Sequence, residues 1–144
     1  MAQLPSVCLT ICTHPNQWES VEEEYTDLMR DNIRVVHESG EGLIPLYEEA
    51  DVACLYVQPD EYRTFASPVK LYEYIGYAKP VLSSVGTLAS DFITDNDCGW
   101  AIPYGQNEAR QLLEKLLEEP QTVRKTSQGR GTVAFCMLNN LYSP

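Results

Sequence analysis

Short apolar runs alternate with polar, helix-spaced segments along most of the chain. Five runs read as strands: Ser6-Val7-Cys8-Leu9-Thr10-Ile11-Cys12, Ile33-Arg34-Val35-Val36-His37, Asp51-Val52-Ala53-Cys54-Leu55-Tyr56-Val57, Pro80-Val81-Leu82-Ser83-Ser84 and Gly99-Trp100-Ala101-Ile102-Pro103. Most are continuously apolar, the pattern of strands covered on both faces. Trp18, Val21, Tyr25 and Leu28 recur at helical spacing through residues 17–30, and a short helix follows over 43–50. Ser67 is placed to cap a further helix, with Pro68 suited to its first position. Another helix is expected over 88–95, entered through Gly86. Ala109, Leu112, Leu113, Leu116 and Leu117 form an apolar stripe on a last helix, with Asn107 as its cap and Pro120 as its stop.

Strands alternating with helices predict the α/β class: a Rossmann-like parallel sheet of about five strands, helices on both faces and right-handed crossovers. Residues 1–144 read as a single domain. The tail, 121–144, reads as less regular; Gly129 and Gly131 weaken a helix there. Ligands of such sheets bind beyond the carboxyl ends of the strands. The loops at that end are 13–17, 38–42, 58–67, 84–87 and 104–106, and 58–67 is the longest. Long loops inside compact domains are commonly functional.

The segment from Ser67 to Leu82 carries the most chemistry. Lys70, Glu73 and Tyr77 share one helix face, while Leu71, Ile75 and Ala78 line another. Amides of Thr64 to Ser67, with the helix dipole, suit a phosphate. Lys70 supplies a cation, and an ionised Glu73 accepts hydrogen bonds from vicinal hydroxyls. The competing reading of Lys70 and Glu73 is a solvated surface pair worth a few tenths of a kcal/mol.

Charge narrows the partners. With 21 acidic and 10 basic residues the net charge is −11, which argues against nucleic acid and against flat attachment to an anionic bilayer. The five cysteines, Cys8, Cys12, Cys54, Cys98 and Cys136, have no metal spacing and read as free thiols. His14 and His37 lie at strand ends, where each is either a cleft base or a loop residue. Trp18 is either a base-stacking ring or a core residue. No apolar run approaches the roughly 20 residues of a membrane span, and the N-terminus lacks signal-peptide features. No phosphate-binding or dinucleotide glycine motif is present.

Tyr47-Glu48-Glu49-Ala50-Asp51-Val52, then Pro68-Val69-Lys70-Leu71-Tyr72-Glu73-Tyr74 and Gly76-Tyr77-Ala78-Lys79-Pro80-Val81, resemble the donor half of GT-B glycosyltransferases of the group-1 (family 4) type. Phe92-Ile93-Thr94-Asp95-Asn96-Asp97-Cys98-Gly99-Trp100 continues the likeness, which covers about residues 33–118. The resemblance implies a C-terminal GT-B domain that binds a UDP- or GDP-type sugar. Its expected role is transfer of that sugar to a glycan or lipid-linked acceptor in polysaccharide biosynthesis, without metal or other cofactor. It implies Glu73 on the ribose, Phe65, Ala66 and Ser67 beside the phosphates and donor sugar, and Ser39 and Gly40 in the loop that reads the base. It assigns no catalytic residue.

Two departures qualify that likeness. Phe65 stands where the family's E-x7-E motif has its first glutamate. The family's opening strand, Gly-rich turn and Arg/Lys pair have no counterpart before Ser6, and no acceptor domain is present. The expectation is therefore a domain truncated on its N-terminal side, inactive or weakly active alone, with its acceptor domain in cis or on a partner subunit. The absent strand would leave a sheet edge that invites homodimerisation. The expected location is cytoplasmic, with the full enzyme peripheral at the inner membrane. The alternatives are a non-catalytic nucleotide- or sugar-phosphate-binding module and a flavodoxin-like interaction domain.

Overall fold

The computed structural model describes residues 4–119 and the backbone of 133–138. The five apolar runs become strands β1 (Val7–Cys12), β2 (Ile33–Val36), β3 (Val52–Leu55), β4 (Val81–Ser84) and β5 (Gly99–Ile102). A sixth strand, β6, spans Val133–Leu138. All pairings are parallel, and the order is β2-β1-β6-β3-β4-β5.

The strands expected from the sequence thus fall into two groups, β2-β1 and β3-β4-β5, which meet only through β6. Strand β6 pairs with β1 from Val7↔Val133 to Cys12↔Leu138, and with β3 at Val52↔Phe135 and Ala53↔Cys136. Within the tail read as less regular, Val133–Leu138 form this strand, and the rest of 121–144 lies outside the described residues. Its run Val133-Ala134-Phe135-Cys136-Met137-Leu138 is apolar throughout, as a strand flanked on both edges requires. Gly129 and Gly131 lie outside the described residues. The sheet has its edges at β2 and β5, and β6 fills the position between β1 and β3.

Helices cover both faces. On one, α3 (Ile44–Glu49), α4 (Val69–Gly76) and α5 (Leu88–Asp95) pack Leu46, Tyr47, Leu71, Tyr74, Ala89 and Ile93 against Cys12, Ala53 and Val81. On the other, Leu113 and Leu116 of α6 (Gln106–Glu118) meet Val7, Val52, Cys54 and Leu82. Alternating strand positions feed the two cores, with Ala53 and Val81 on one side and Cys54 and Leu82 on the other. Moving from β2 through β5 places the helices on one face, and returning to β6 places α6 on the opposite face. Right-handed crossovers demand that switch.

Two helix readings change. The helix expected over 17–30 breaks into α1 (Pro15–Glu19), α2 (Glu22–Tyr25) and a 3-10 turn over Thr26–Leu28. None of these segments buries a residue, and Tyr25 and Leu28 are exposed. The apolar spacing was helical but has no core to face. Trp18 instead lies half-buried against Tyr25, with ring centroids 6.0 Å apart. Helix α6 starts from Gly105 rather than Asn107. The Gly105 amide donates to the Tyr56 hydroxyl at 2.7 Å, and that hydroxyl lies 2.9 Å from the Gly105 carbonyl, which fixes the start.

Strand β5 depends on Gly99, whose φ of 157° lets it lie directly against β4. A Cβ there would overlap the backbone carbonyl and amide of Val81. Backbone cannot yield as a flexible side chain can. Gly99→Ala is expected to destabilise by about 1–3 kcal/mol, read as a lowered urea midpoint with an unchanged slope. An unchanged midpoint would contradict this packing. No helix among the described residues is long and apolar enough to cross a membrane.

Candidate functional site

The loops after β1, β2, β3 and β4 share the carboxyl end of the parallel sheet. Because α4 follows β3, its first turn starts at that end. The loop before it, expected from the sequence to be special, is internally braced. Asp60 pairs with Arg63, Arg63 also donates to the Gln58 carbonyl, and the Thr64 hydroxyl donates to the Glu61 carbonyl. Tyr62 and Phe65 meet edge to face at 5.4 Å and remain exposed.

This bracing corrects part of the anion reading. The amides of Thr64, Phe65 and Ala66 donate to Glu61, Tyr62 and Tyr62 carbonyls, so they are not free for a phosphate. Ser67 is not the cap either: Pro68 occupies that position, and the Ser67 hydroxyl donates to Tyr72 at 3.0 Å. A 3-10 turn at Tyr62–Thr64 delivers the chain to the helix one residue later than the Ser-Pro signal suggests. The amides of Ser67, Val69 and Lys70 take no acceptor from the described residues. The anion-facing donors therefore lie in the helix itself rather than in the loop ahead of it.

Lys70 and Glu73 form a more constrained unit than a surface pair. Lys70 Nζ donates to Glu73 Oε2 at 2.7 Å, and the Lys70 side chain is only 19% exposed. A second donor comes from another helix, where Tyr47 Oη of α3 reaches the same oxygen at 2.9 Å. Partial burial works against ionisation of Glu73. The hydrogen bonds from Lys70 and Tyr47, with the Lys70 charge, outweigh it and hold the carboxyl below its ordinary pKa. Glu73 is thus an ionised acceptor with Oε2 occupied and Oε1 taking no bond from a described residue.

Tyr47 is the residue that spacing alone did not single out as a site group. It lies 26 positions before Glu73 and is almost fully buried. Tyr77, expected on the Lys70–Glu73 face, stacks on its ring with centroids 4.2 Å apart and planes 13° from parallel. Tyr74 meets it edge to face at 6.0 Å. A tyrosine one turn before an Ala-Asp-Val strand entry was the available signal, because a core-facing helix residue with a polar tip needs a partner.

The neighbouring loops converge on the same corner. Cys12, at the end of β1, donates from Sγ to the Glu38 carbonyl at 3.3 Å. Burial, and to a smaller extent Glu38, push its thiol pKa up against the Glu38 hydrogen bond and the Lys70 charge. Lys70 is therefore within electrostatic reach of Cys12 at the end of β1, and the Cys12–Glu38 bond ties that end to the loop holding Ser39 and Gly40. Both of those residues are exposed, and Gly40 has φ +55° where the chain turns into a 3-10 segment. Phe65, Ala66 and Ser67 reach the corner only as neighbours of α4 in sequence.

The remaining candidates have structural tasks. His37 Nδ1 lies 2.8 Å from the Thr13 carbonyl, tying β2 to β1. His14 caps α1 by accepting the Asn16 amide. Cys8, Cys12, Cys54 and Cys98 are free, and full burial raises Cys54 to about 11. The Cys136 side chain lies outside the described residues. Among the described residues no group of three or more His, Cys, Asp or Glu is arranged to hold a metal ion. Comparisons with protein-family models, curated proteins and solved structures return no match.

Proposed function

We propose that this domain binds a nucleoside-diphosphate-sugar and forms the donor half of a GT-B-type glycosyltransferase. The observation that carries the reading is Glu73. It is an ionised carboxylate one turn into α4, fixed through one oxygen and open at the other. Such an acceptor matches the vicinal hydroxyls of a ribose. The amides of Val69 and Lys70, with the helix dipole and the ammonium of Lys70, favour the diphosphate beside it. That arrangement would stabilise negative charge on a departing nucleoside diphosphate. The Ser39–Gly40 loop would meet the base, and the acceptor half, in cis or on a partner, would complete the enzyme. The reading implies a cytoplasmic enzyme without a metal.

The test is thermal stabilisation by UDP and GDP and by their sugars. A nucleotide at about 100 times its dissociation constant stabilises by about 2.7 kcal/mol, a melting shift of several degrees for a domain of this size. Glu73→Ala is expected to abolish that shift while leaving the unliganded fold intact. A wild-type chain that shifts with neither nucleotide rules the reading out.

One observation favours a second reading, a binding module without transferase activity. Phe65 is exposed where the resembled family places a carboxylate, and the amides of Phe65 and Ala66 are engaged within their own turn. Nucleotide binding that persists without any transfer, even when an acceptor domain is supplied, would select it.

A further inference from the structure

We propose that Tyr47 is a positioning residue, which presents Oε1 of Glu73 to the ligand by holding Oε2. This role rests on the nucleotide-binding reading above.

A glutamate on a helix face has three side-chain torsions, and a partly exposed one samples several rotamers. Lys70 alone does not remove that freedom, because an ammonium on a four-carbon stem follows the carboxylate as it moves. Tyr47 does not follow. Its ring is clamped between the Tyr77 face at 4.2 Å and the Tyr74 edge at 6.0 Å, and it is 2% exposed. Its hydroxyl is therefore a fixed donor that reaches Glu73 from α3, with its ring held against α4 by Tyr74 and the C-cap Tyr77.

Both donors converge on one oxygen. A carboxylate with both oxygens free can take two vicinal hydroxyls one on each. With Oε2 occupied, both hydroxyls must be received by Oε1, whose two lone pairs suffice. Geometry at a single oxygen is narrower than across two, so Tyr47 makes the site demand a correctly placed diol. A 2′-deoxy ligand forfeits one of the two bonds that a held Oε1 is placed to receive, whereas a loosened Glu73 makes the second of those bonds less well, so the missing hydroxyl costs less there. Tyr47 thus bears on discrimination between ribose and 2′-deoxyribose as well as on affinity.

Among the described residues around Glu73, Lys70 lies on its helix and Tyr77 at that helix's C-cap, Tyr47 faces it from α3, and Cys12, which donates to the Glu38 carbonyl, lies within reach of the Lys70 charge. The Glu73 carboxyl carbon is followed by NMR.

The experiment uses Tyr47→Phe, which keeps the stacked ring and removes only the hydroxyl. Unliganded, its Glu73 carboxyl should titrate closer to the ordinary glutamate value than in the wild type. With UDP and GDP, affinity should fall roughly tenfold, and the ratio of ribo- to 2′-deoxyribonucleotide affinity should shrink. Lys70→Met serves as the comparison, lowering the affinity of both sugars without narrowing their ratio. An unchanged Glu73 titration, or an unchanged ribose ratio with intact nucleotide binding, overturns the positioning role alone. Absence of nucleotide binding by the wild type overturns the functional reading and this role with it.

Discussion

A chain ending at Glu119 is expected to lose cooperative folding. Removing the tail takes out β6, which sits between β1 and β3 rather than at an edge. Strands β1 and β3 have no direct pairing, so its loss leaves a slot of about 9–10 Å, two strand spacings. What remains is a two-stranded parallel ribbon, β2-β1, and a three-stranded piece, β3-β4-β5. Parallel pairs are the weaker kind, and two strands alone are marginal. Val7 and Val52, each fully buried against α6, would flank the vacated slot and lose their in-register neighbours Val133 and Phe135. Near-UV circular dichroism and urea unfolding of the shortened chain are the measurements. The expected outcome is loss of aromatic signal and of a sharp transition, with self-association through the open strands. A shortened chain with the full-length midpoint and slope would mean that β1 and β3 pair without β6.

The same slot explains what was legible beforehand. Strands β1 to β5 could be read to within a residue or two, because each is a short apolar run bounded by polar or glycine punctuation. The run from Val133 to Leu138 carries an equally clear signal. In the sequence, Gly129 and Gly131 just before it weigh against a regular element there. Residues 17–30 failed in the opposite way: the period was right, but Glu22, Glu23 and Glu24 leave the segment no apolar face wide enough to bury.

The candidate site was half legible. Lys70 and Glu73 follow from helical spacing, since residues three apart share a face. Their departure from an ordinary surface pair does not, because it depends on Tyr47 arriving from another helix. No periodicity encodes an approach between residues 26 apart. The cap was misassigned for a local reason. Ser-Pro is a sound start signal, but Tyr72 competes for the Ser67 hydroxyl, leaving Pro68 at the boundary and the first amides uncapped.

Replacing Tyr74 should couple the core to the site. Tyr74 is completely buried, and its ring forms one wall around Tyr47. Tyr74→Ala should cost about 3–5 kcal/mol, as large aromatic truncations do, a major share of the 5–15 kcal/mol typical of whole domains. Leu71→Ala, equally buried in the same cluster, should cost about 2–5 kcal/mol. Stability alone does not separate the two, but Glu73 does. With the Tyr74 wall gone, Tyr47 can swing and its hydroxyl ceases to be a fixed donor. Losing a hydrogen bond to the charged form raises a carboxyl pKa. In the wild type the depressed Glu73 pKa contributes stability that is present above the unfolded glutamate value and lost as pH falls through the folded one. Tyr74→Ala should shrink that acid-dependent contribution and move the Glu73 titration upward, whereas Leu71→Ala and Tyr74→Phe should leave it in place. Equal Glu73 titrations in Tyr74→Ala and Leu71→Ala would show that Tyr47 holds its position through the Tyr77 stack alone, and that the core does not reach the carboxylate through Tyr74.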